Sequence, residues 1–277
     1  MKKKIYSALQ FIITIFFIYY TLSKLDLNKF SDVIKNINYL IIFSASIVYF
    51  ISQIISSERL RYILNKNDLQ ISFNQNFTLY LIGLFYNFFI PGGIGGDAYK
   101  GFLFNNLGWN LKKSLKLILL DRLIGLGVLC CILIGLYELV FIKLNFILIA
   151  LSVISVSIIG YYLVKLIFRN ESVYWKSFIY STLSHIIQFI SIFIILYSLG
   201  ILNSYLEIIL VFILSSIFSV FSFGGVGIRE YVFLSSAPIL NFSPELAASI
   251  GLLFTLCAAI SSLSGLKYLI KKPNFLK

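Results

Sequence analysis

The sequence predicts an all-α polytopic transmembrane protein with about six full spans and two glycine-broken re-entrant hairpins in an inverted pseudo-repeat. Three observations support this fold class. The chain is 59% hydrophobic and only 12% charged over 277 residues, whereas soluble proteins carry about 25% charged residues. Apolar runs of about 20 residues, long enough to cross a bilayer as helices, recur along it. Two glycine clusters interrupt these runs.

The apolar runs predict eight longer helical segments, and a short helix follows each glycine cluster. No linker is long enough to separate two domains, so residues 1–277 form a single predicted membrane domain. The longer segments cover about 6–22, 39–57, 76–90, 117–142, 144–168, 177–199, 204–222 and 245–268, and the short helices about 97–107 and 229–239.

Five clusters of basic residues predict the topology, since Lys and Arg concentrate in cytoplasmic loops. All five clusters and both termini are cytoplasmic if 76–107 is a hairpin from the cytoplasmic side and 204–240 a hairpin from the outer side. Eight ordinary spans, the alternative, would leave at least one cluster outside. The clusters are Lys2, Lys3 and Lys4; Arg59, Arg61 and Lys66; Lys112, Lys113 and Lys116; Lys165, Arg169 and Lys176; and Lys267, Lys271, Lys272 and Lys277.

The formal charge of +12 does not indicate nucleic-acid binding. The basic residues lie in short segments between apolar runs, where they set the orientation of the protein in the membrane and contact anionic headgroups. No soluble domain is visible that could bind nucleic acid.

An internal repeat links the two glycine clusters. Residues 92–99, GGIGGDAY, align without gaps on residues 224–231, GGVGIREY. Such broken segments in both halves of a membrane protein are typical of a transporter site near the midplane. Glycine permits unusual backbone conformations, Pro91 ends the incoming helix, and the next helix directs its positive end inward. A polar headgroup or an ion is the expected occupant.

Charged residues lie in or beside both copies. Asp97, Arg229 and Glu230 would each cost about 2.5–3.5 kcal/mol at a lipid-facing helix centre, so we expect them to face the interior. We predict that Asp97 meets Arg229 across the pseudo-symmetry axis. Asp121 and Arg122 open the next predicted helix near one membrane face. Three structural alternatives to a functional site stay open: a purely structural ion-pair network, helix packing by the glycines and snorkelling of Arg122.

Other side chains give little sign of catalysis. His185, the only histidine, is predicted to form an interhelical hydrogen bond rather than a proton relay, with Gln188 one turn on. Cys130, Cys131 and Cys257 lie in apolar segments and suggest no disulfide or metal site. The match of GIGGDA to a dinucleotide fingerprint lacks a βαβ unit. We expect no catalytic residue, no metal and no cofactor.

Three segments resemble a known family. PGGIGGDAYKGFLF, LLDRLIGLG and SFGGVGIREYVFL, in this order and spacing, look like the membrane region of lysylphosphatidylglycerol synthases and of related stand-alone integral membrane proteins. The resemblance covers nearly the whole chain and implies lipid translocation. In the two-domain synthases the membrane region is the flippase for the aminoacylated lipid that a soluble domain makes. We expect that soluble domain to be absent, since the chain ends at Lys277.

The resemblance also implies the site residues. Lys100, Arg122 and Arg229 would contact phosphate, while Asp97 and Glu230 would balance charge or select a cationic headgroup. Lys100 stands where the family usually has Arg, and Val220 where the second motif usually begins with Pro. The predicted headgroup site comprises Gly92, Gly93, Gly95, Gly96, Asp97, Lys100, Asp121, Arg122, Gly224, Gly225, Gly227, Arg229 and Glu230.

The leading hypothesis is a flippase-like transporter, not an enzyme, in a cell inner membrane. Its partner would be the headgroup of a phospholipid or polyprenyl-linked lipid, with no nucleic acid; a homo-oligomer stays open. One alternative is a membrane-embedded transferase acting on a lipid-linked glycan or headgroup, with Asp97 or Glu230 as general base. Another is a non-transporting partner subunit of envelope enzymes.

Overall fold

The computed structural model describes residues 2–89, 95–222, 224–271 and 275, with side chains from residue 12 onward. Within these ranges the chain is helical and contains no strand. The helices are α1 (Lys2–Lys24), α2 (Leu27–Lys35), α3 (Tyr39–Asn65), α4 (Phe73–Phe89), α5 (Gly95–Asn106), α6 (Leu111–Tyr137), α7 (Phe146–Phe168), α8 (Tyr174–Ser198), α9 (Tyr205–Phe218), α10 (Ile228–Leu240), α11 (Pro244–Leu263) and α12 (Leu266–Ile270). Single turns of other helix types lie at Glu138–Ile142, Glu171–Val173 and Ser219–Phe221.

Five helical stretches among the described residues are long and apolar enough to cross a membrane. They contain α3, α6, α7, α8 and α11. The sixth predicted span, α1, is helical over 23 residues, although its described apolar part begins only at Ile12. The helices confirm the predicted class: the chain is an integral, polytopic, all-helical membrane protein.

The helices around the two glycine clusters are shorter. α4, α5, α9 and α10 contain 17, 12, 14 and 13 residues. At 1.5 Å per residue they are about 18–26 Å long, less than the roughly 30 Å hydrocarbon core of a bilayer. Because α4 packs on α5 and α9 on α10, each pair forms a helical hairpin. Insertion of the two hairpins from opposite faces stays a prediction.

Similar helix contacts recur in the two halves of the chain. Exchanging α3, α4, α5 and α6 with α8, α9, α10 and α11 maps most of the observed pairs onto each other. The α5–α6 contact matches α10–α11, α4–α11 matches α9–α6, and α3–α11 matches α8–α6. The extensive α3–α8 contact maps onto itself. The two halves therefore interlock, because each hairpin also contacts the long helix that follows the other.

The interior contains two large apolar clusters, one beside each hairpin. One includes Ile42, Ile195, Phe212 and Phe254, and the other Leu60, Leu79, Phe104 and Tyr174. Helices α3 and α8 run antiparallel through both. Between the clusters they carry a set of buried or half-buried polar side chains, which we call the polar band: Ser52, Gln53, Ser56, Arg59, Ser181, Ser184, His185 and Gln188.

Two helix boundaries differ from the prediction and change where charged residues lie. Helix α6 begins at Leu111, six residues before the predicted start, because the Asn110 side chain caps it by accepting the Lys113 N–H at 3.1 Å. Asp121 and Arg122 therefore lie within the helix and do not open it. Helix α3 continues to Asn65, past the predicted end at residue 57, and so includes Arg59.

The sequence analysis did not predict helix α2. The Asp26 side chain caps it by accepting the N–H of Asn28 at 3.0 Å and that of Lys29 at 3.3 Å. No residue of α2 is fully buried. This helix is too short and too polar to appear as an apolar run in the sequence.

Candidate functional site

A cluster of three charges lies where the first hairpin meets α6. Asp97, in the first turn of α5, accepts hydrogen bonds from Arg122 Nε at 2.9 Å and Nη2 at 3.0 Å, one on each carboxylate oxygen. The Lys100 ammonium lies 2.7 Å from Asp97 Oδ1. One carboxylate thus binds two cations, and this Asp97 cluster carries a formal charge of +1.

Glycines allow Lys100 to reach this position. A Cβ at Gly83 of α4 would lie only 2.8 Å from the Lys100 alkyl chain. Glycine at this position therefore leaves the space that the Lys100 side chain occupies. The ammonium lies 5.0 Å from the centre of the Tyr80 ring, a distance typical of cation–π contact. A Cβ at Gly96 would overlap the Gly83 carbonyl oxygen. The hairpin is therefore closely packed on its inner side.

The Asp97 cluster is open on its other side. The Lys100 side chain is 2% exposed, whereas those of Asp97 and Arg122 are 32% and 46% exposed. Part of the Arg122 guanidinium is therefore accessible while it stays bonded to Asp97. A guanidinium binds phosphate and carboxylate oxygens in the same bidentate geometry.

A second ion pair lies directly behind this cluster. Arg59 of α3 donates from Nε to Asp121 Oδ1 at 2.7 Å and from Nη2 to Oδ2 at 3.1 Å. Its Nη1 donates to Ser181 Oγ of α8 at 2.7 Å. Both charged side chains are buried. Since Asp121 precedes Arg122 in sequence, this pair fixes the part of α6 that presents Arg122.

The polar band continues from the Arg59–Asp121 pair toward the middle of the α3–α8 contact. His185 Nε2 lies 3.2 Å from the Gly125 carbonyl oxygen of α6, and its Nδ1 lies 3.4 Å from Gln188 Oε1. The hydroxyls of Ser56 and Ser184 are 2.8 Å apart. The predicted interhelical role of His185 is confirmed, and its partner across helices is a backbone carbonyl.

The second hairpin arranges its charges differently. Arg229 donates from Nη1 to the Gly224 carbonyl oxygen at 2.9 Å, and its guanidinium lies 5.2 Å from the Phe254 ring centre. Glu230 accepts the Gly227 N–H at 2.7 Å and so caps α10. Both side chains are buried, and neither forms an ion pair within the described part of the chain.

The glycines of the second motif shape its turn. Gly224, Gly225 and Gly227 all have positive φ, at 57°, 86° and 82°, where other residues are strained. A Cβ at Gly227 would lie 2.9 Å from the Thr14 carbonyl oxygen of α1, and one at Gly224 would overlap the Phe88 ring of α4. The second turn thus contacts both α1 and the end of α4, which brings the two hairpins together.

The profile of one family, the lysylphosphatidylglycerol synthase TM region, matches residues 7–173 of this chain. The chain belongs to this family. Searches of curated proteins and of solved structures gave no match. Family membership identifies an integral membrane protein of lipid-related processes, and the match includes the Asp97 cluster and the Arg59–Asp121 pair but not the second glycine motif.

The structure separates the predicted site residues into groups. It joins Asp97, Lys100 and Arg122 in one cluster and places Asp121 behind it. The predicted contact between Asp97 and Arg229 is not formed, since Asp97 binds Lys100 and Arg122, and Arg229 binds a backbone carbonyl on its own turn. Gly95 and Gly96 begin α5. Gly92 and Gly93, with Pro91, lie outside the described residues.

Arg59 is the residue that the sequence analysis assigned wrongly. It was grouped with Arg61 and Lys66 as an interfacial charge, but it is 6% exposed. One signal was available. Ser52, Ser56 and Arg59 repeat at the spacing of one helix face, and that face continues into the apolar core at Ile63.

The described residues contain no group of three or more His, Cys, Asp or Glu side chains arranged to hold a metal ion. Cys130, Cys131 and Cys257 are all free thiols. The Asp97 cluster thus presents charged hydrogen-bond donors beside a buried network of hydrogen bonds.

Proposed function

We propose that this member of the lysylphosphatidylglycerol synthase TM family moves a lipid with a phosphate-containing headgroup between the leaflets of a cell inner membrane. The headgroup binds at the Asp97 cluster while its acyl or prenyl tails stay in the bilayer. The N- and C-termini face the cytoplasm in this proposal. The protein acts as a transporter and leaves the lipid chemically unchanged.

One observation carries the proposal: the Asp97 cluster combines an excess positive charge with an open side. Fully exposed charges would bind headgroups at any membrane surface, and fully buried ones would serve only structure. Here Lys100 is enclosed while Arg122 is nearly half exposed. A phosphate that approaches Arg122 finds a second cation one carboxylate away, and Asp97 then limits how tightly it is held.

Leaflet exchange of labelled lipids tests the proposal. The purified protein is reconstituted into vesicles, and the exchange of fluorescent phosphatidylglycerol and of a polyprenyl phosphate is followed by quenching of the outer leaflet. In Arg122→Gln the bidentate, charged donor is lost. A charged hydrogen bond contributes about 1.5–3 kcal/mol, so we expect exchange to slow by at least about tenfold.

Arg169→Gln is the matched control, because it removes the same charge from an exposed residue after α7. Exchange by this variant should stay within about twofold of the native rate. Equal exchange by native protein and Arg122→Gln, at equal folded fraction, would refute the assignment of the site. Thin-layer analysis of the same vesicles distinguishes the alternative, since a new lipid species would identify a transferase.

A further inference from the structure

A second charged cavity lies between the C-terminal end of α3 and the N-terminal part of α8. It has a volume of about 250 Å³ and shares no residue with the Asp97 cluster. Pockets that hold drug-sized ligands measure about 300–1,000 Å³, so this one has room for a headgroup but not for a whole lipid. The residues that line this cavity include Glu58, Arg61, Tyr62, Lys66, Lys176 and Tyr180.

Most of the cationic groups in this cavity are free to bind a ligand. Both carboxylate oxygens of Glu58 accept from Arg61 Nε, at 2.8 and 2.7 Å, which leaves the two terminal nitrogens of that guanidinium without a hydrogen bond in the described structure. Lys66 and Lys176 form no ion pair there, and the Lys176 ammonium lies 4.8 Å from the Tyr62 ring centre. Three cations and one carboxylate give a formal charge of +2.

The position of the cavity indicates the source of the anion. Both α3 and α8 are long enough to cross the membrane, and the cavity lies at their ends, where headgroups are found. Trp175 is half exposed and stacks on Tyr161 with ring centres 6.0 Å apart, as is typical of aromatic residues at a membrane interface.

The adjoining face of α8 fits lipid tails. Trp175, Ile179 and Leu183 repeat every four residues and are all exposed, so they form one apolar stripe along the helix. Lys176 and Tyr180 lie on the neighbouring stripe, which lines the cavity. A lipid whose phosphate occupied the cavity would have its tails against the exposed stripe.

We propose that this cavity is a second anion site, which binds the phosphate of an anionic phospholipid in the leaflet that meets the C-terminal end of α3. Arg61, Lys66 and Lys176 hold the phosphate oxygens, and Tyr62 and Tyr180 form the walls. The proposal concerns equilibrium binding and does not rest on transport. It stands whether or not Arg122→Gln alters leaflet exchange.

Trp175 offers a direct probe, because the chain has only two tryptophans. In a Trp109→Phe background, the full-length protein is placed in nanodiscs of neutral lipid with a small fraction of brominated phosphatidylglycerol or brominated phosphatidylcholine. Bromine quenches Trp175 fluorescence on contact. We expect phosphatidylglycerol to quench at a several-fold lower mole fraction than phosphatidylcholine. Lys66→Gln/Lys176→Gln should abolish most of this several-fold preference, since lysines near a membrane surface attract anionic lipids.

Lys112→Gln/Lys165→Gln is the matched control, because both lysines are exposed and lie outside the cavity. An equal loss of preference in this variant would overturn the proposal in favour of general surface charge. Millimolar inorganic phosphate, compared with chloride at the same ionic strength, separates the two sources of phosphate. The proposal expects no displacement of the lipid, and complete displacement would show a site for free phosphate instead. Equal quenching by both lipids would also overturn it.

Discussion

The two hairpins share a sequence motif but differ in how they use their charges. In the first, Asp97 binds cations from its own helix and from α6, and the resulting cluster is open on one side. In the second, Arg229 binds the carbonyl of Gly224 and Glu230 binds the N–H of Gly227, so both charges serve their own turn.

The shared motif therefore arranges its acid in two different ways. In both copies a helix begins at or directly after glycines with its positive end toward them, and a side chain accepts one of its first N–H groups. Asn87 Oδ1 accepts the Gly96 N–H at 2.9 Å in the first copy, and Glu230 accepts the Gly227 N–H in the second. In the second copy Glu230 already occupies that end, and α1 covers the turn through the contact between Gly227 and Thr14. In the first copy Asp97 binds Lys100 of its own helix and Arg122 of α6 instead, and the cluster keeps a formal charge of +1.

The largest expected effect comes from the ion pair behind the first hairpin. Asp121→Ala leaves the Arg59 guanidinium buried without its anion, and removal of one partner of a buried pair costs about 3–5 kcal/mol. Equilibrium unfolding in mixed micelles measures this loss. Glu58→Ala is the control, because it breaks the partly exposed pair with Arg61 and should cost less than about 1 kcal/mol. If both variants lost a similar free energy of unfolding, burial of the Arg59–Asp121 pair would not increase its contribution to stability.

An intermediate effect is expected inside the first hairpin. In Gly96→Ala the new methyl group overlaps the Gly83 carbonyl oxygen, and such overpacking costs about 1–3 kcal/mol. Gly127→Ala is the control: apart from its two chain neighbours and the backbone of its own helix, no atom lies within 4 Å of its added Cβ, so it should stabilise α6 by about 0.5–1 kcal/mol. The two alanines should therefore shift the unfolding midpoint in opposite directions. Equal shifts would contradict the close packing of α4 on α5.

The smallest effect is expected in the second hairpin. Glu230→Ala removes the acceptor of the Gly227 N–H, and loss of a helix N-terminal cap costs about 1 kcal/mol. Glu230→Gln keeps an oxygen in the same place and should lose less. The same unfolding measurement compares the two variants, and hydrogen exchange at the Gly227 amide should be faster in the alanine variant alone. Faster exchange in both would mean that the charge, and not the acceptor position, protects the turn.

The sequence by itself determined the membrane class, the approximate helices and the places where they break. These features are local: a run of about 20 apolar residues forms a spanning helix, and glycine clusters interrupt it wherever they occur. The interhelical hydrogen bond of His185 was also expected from the sequence. The Asn110 cap explains the early start of α6, because it extends this helix beyond the apolar run.

Only the tertiary structure decided which charges meet. Asp97 and Arg122 are 25 residues apart, and Arg59 and Asp121 are 62 apart, and several other partners had the right sign and a reachable position. The pairing of charges depends on how helices rotate and how closely they approach one another. In this protein the glycines and the packing of the two apolar clusters determine both. Arg59 and Arg61 illustrate the reason. They are neighbours of the same chemical type, but a rotation of 200° along one α-helix places one in the protein interior and the other in an open cavity.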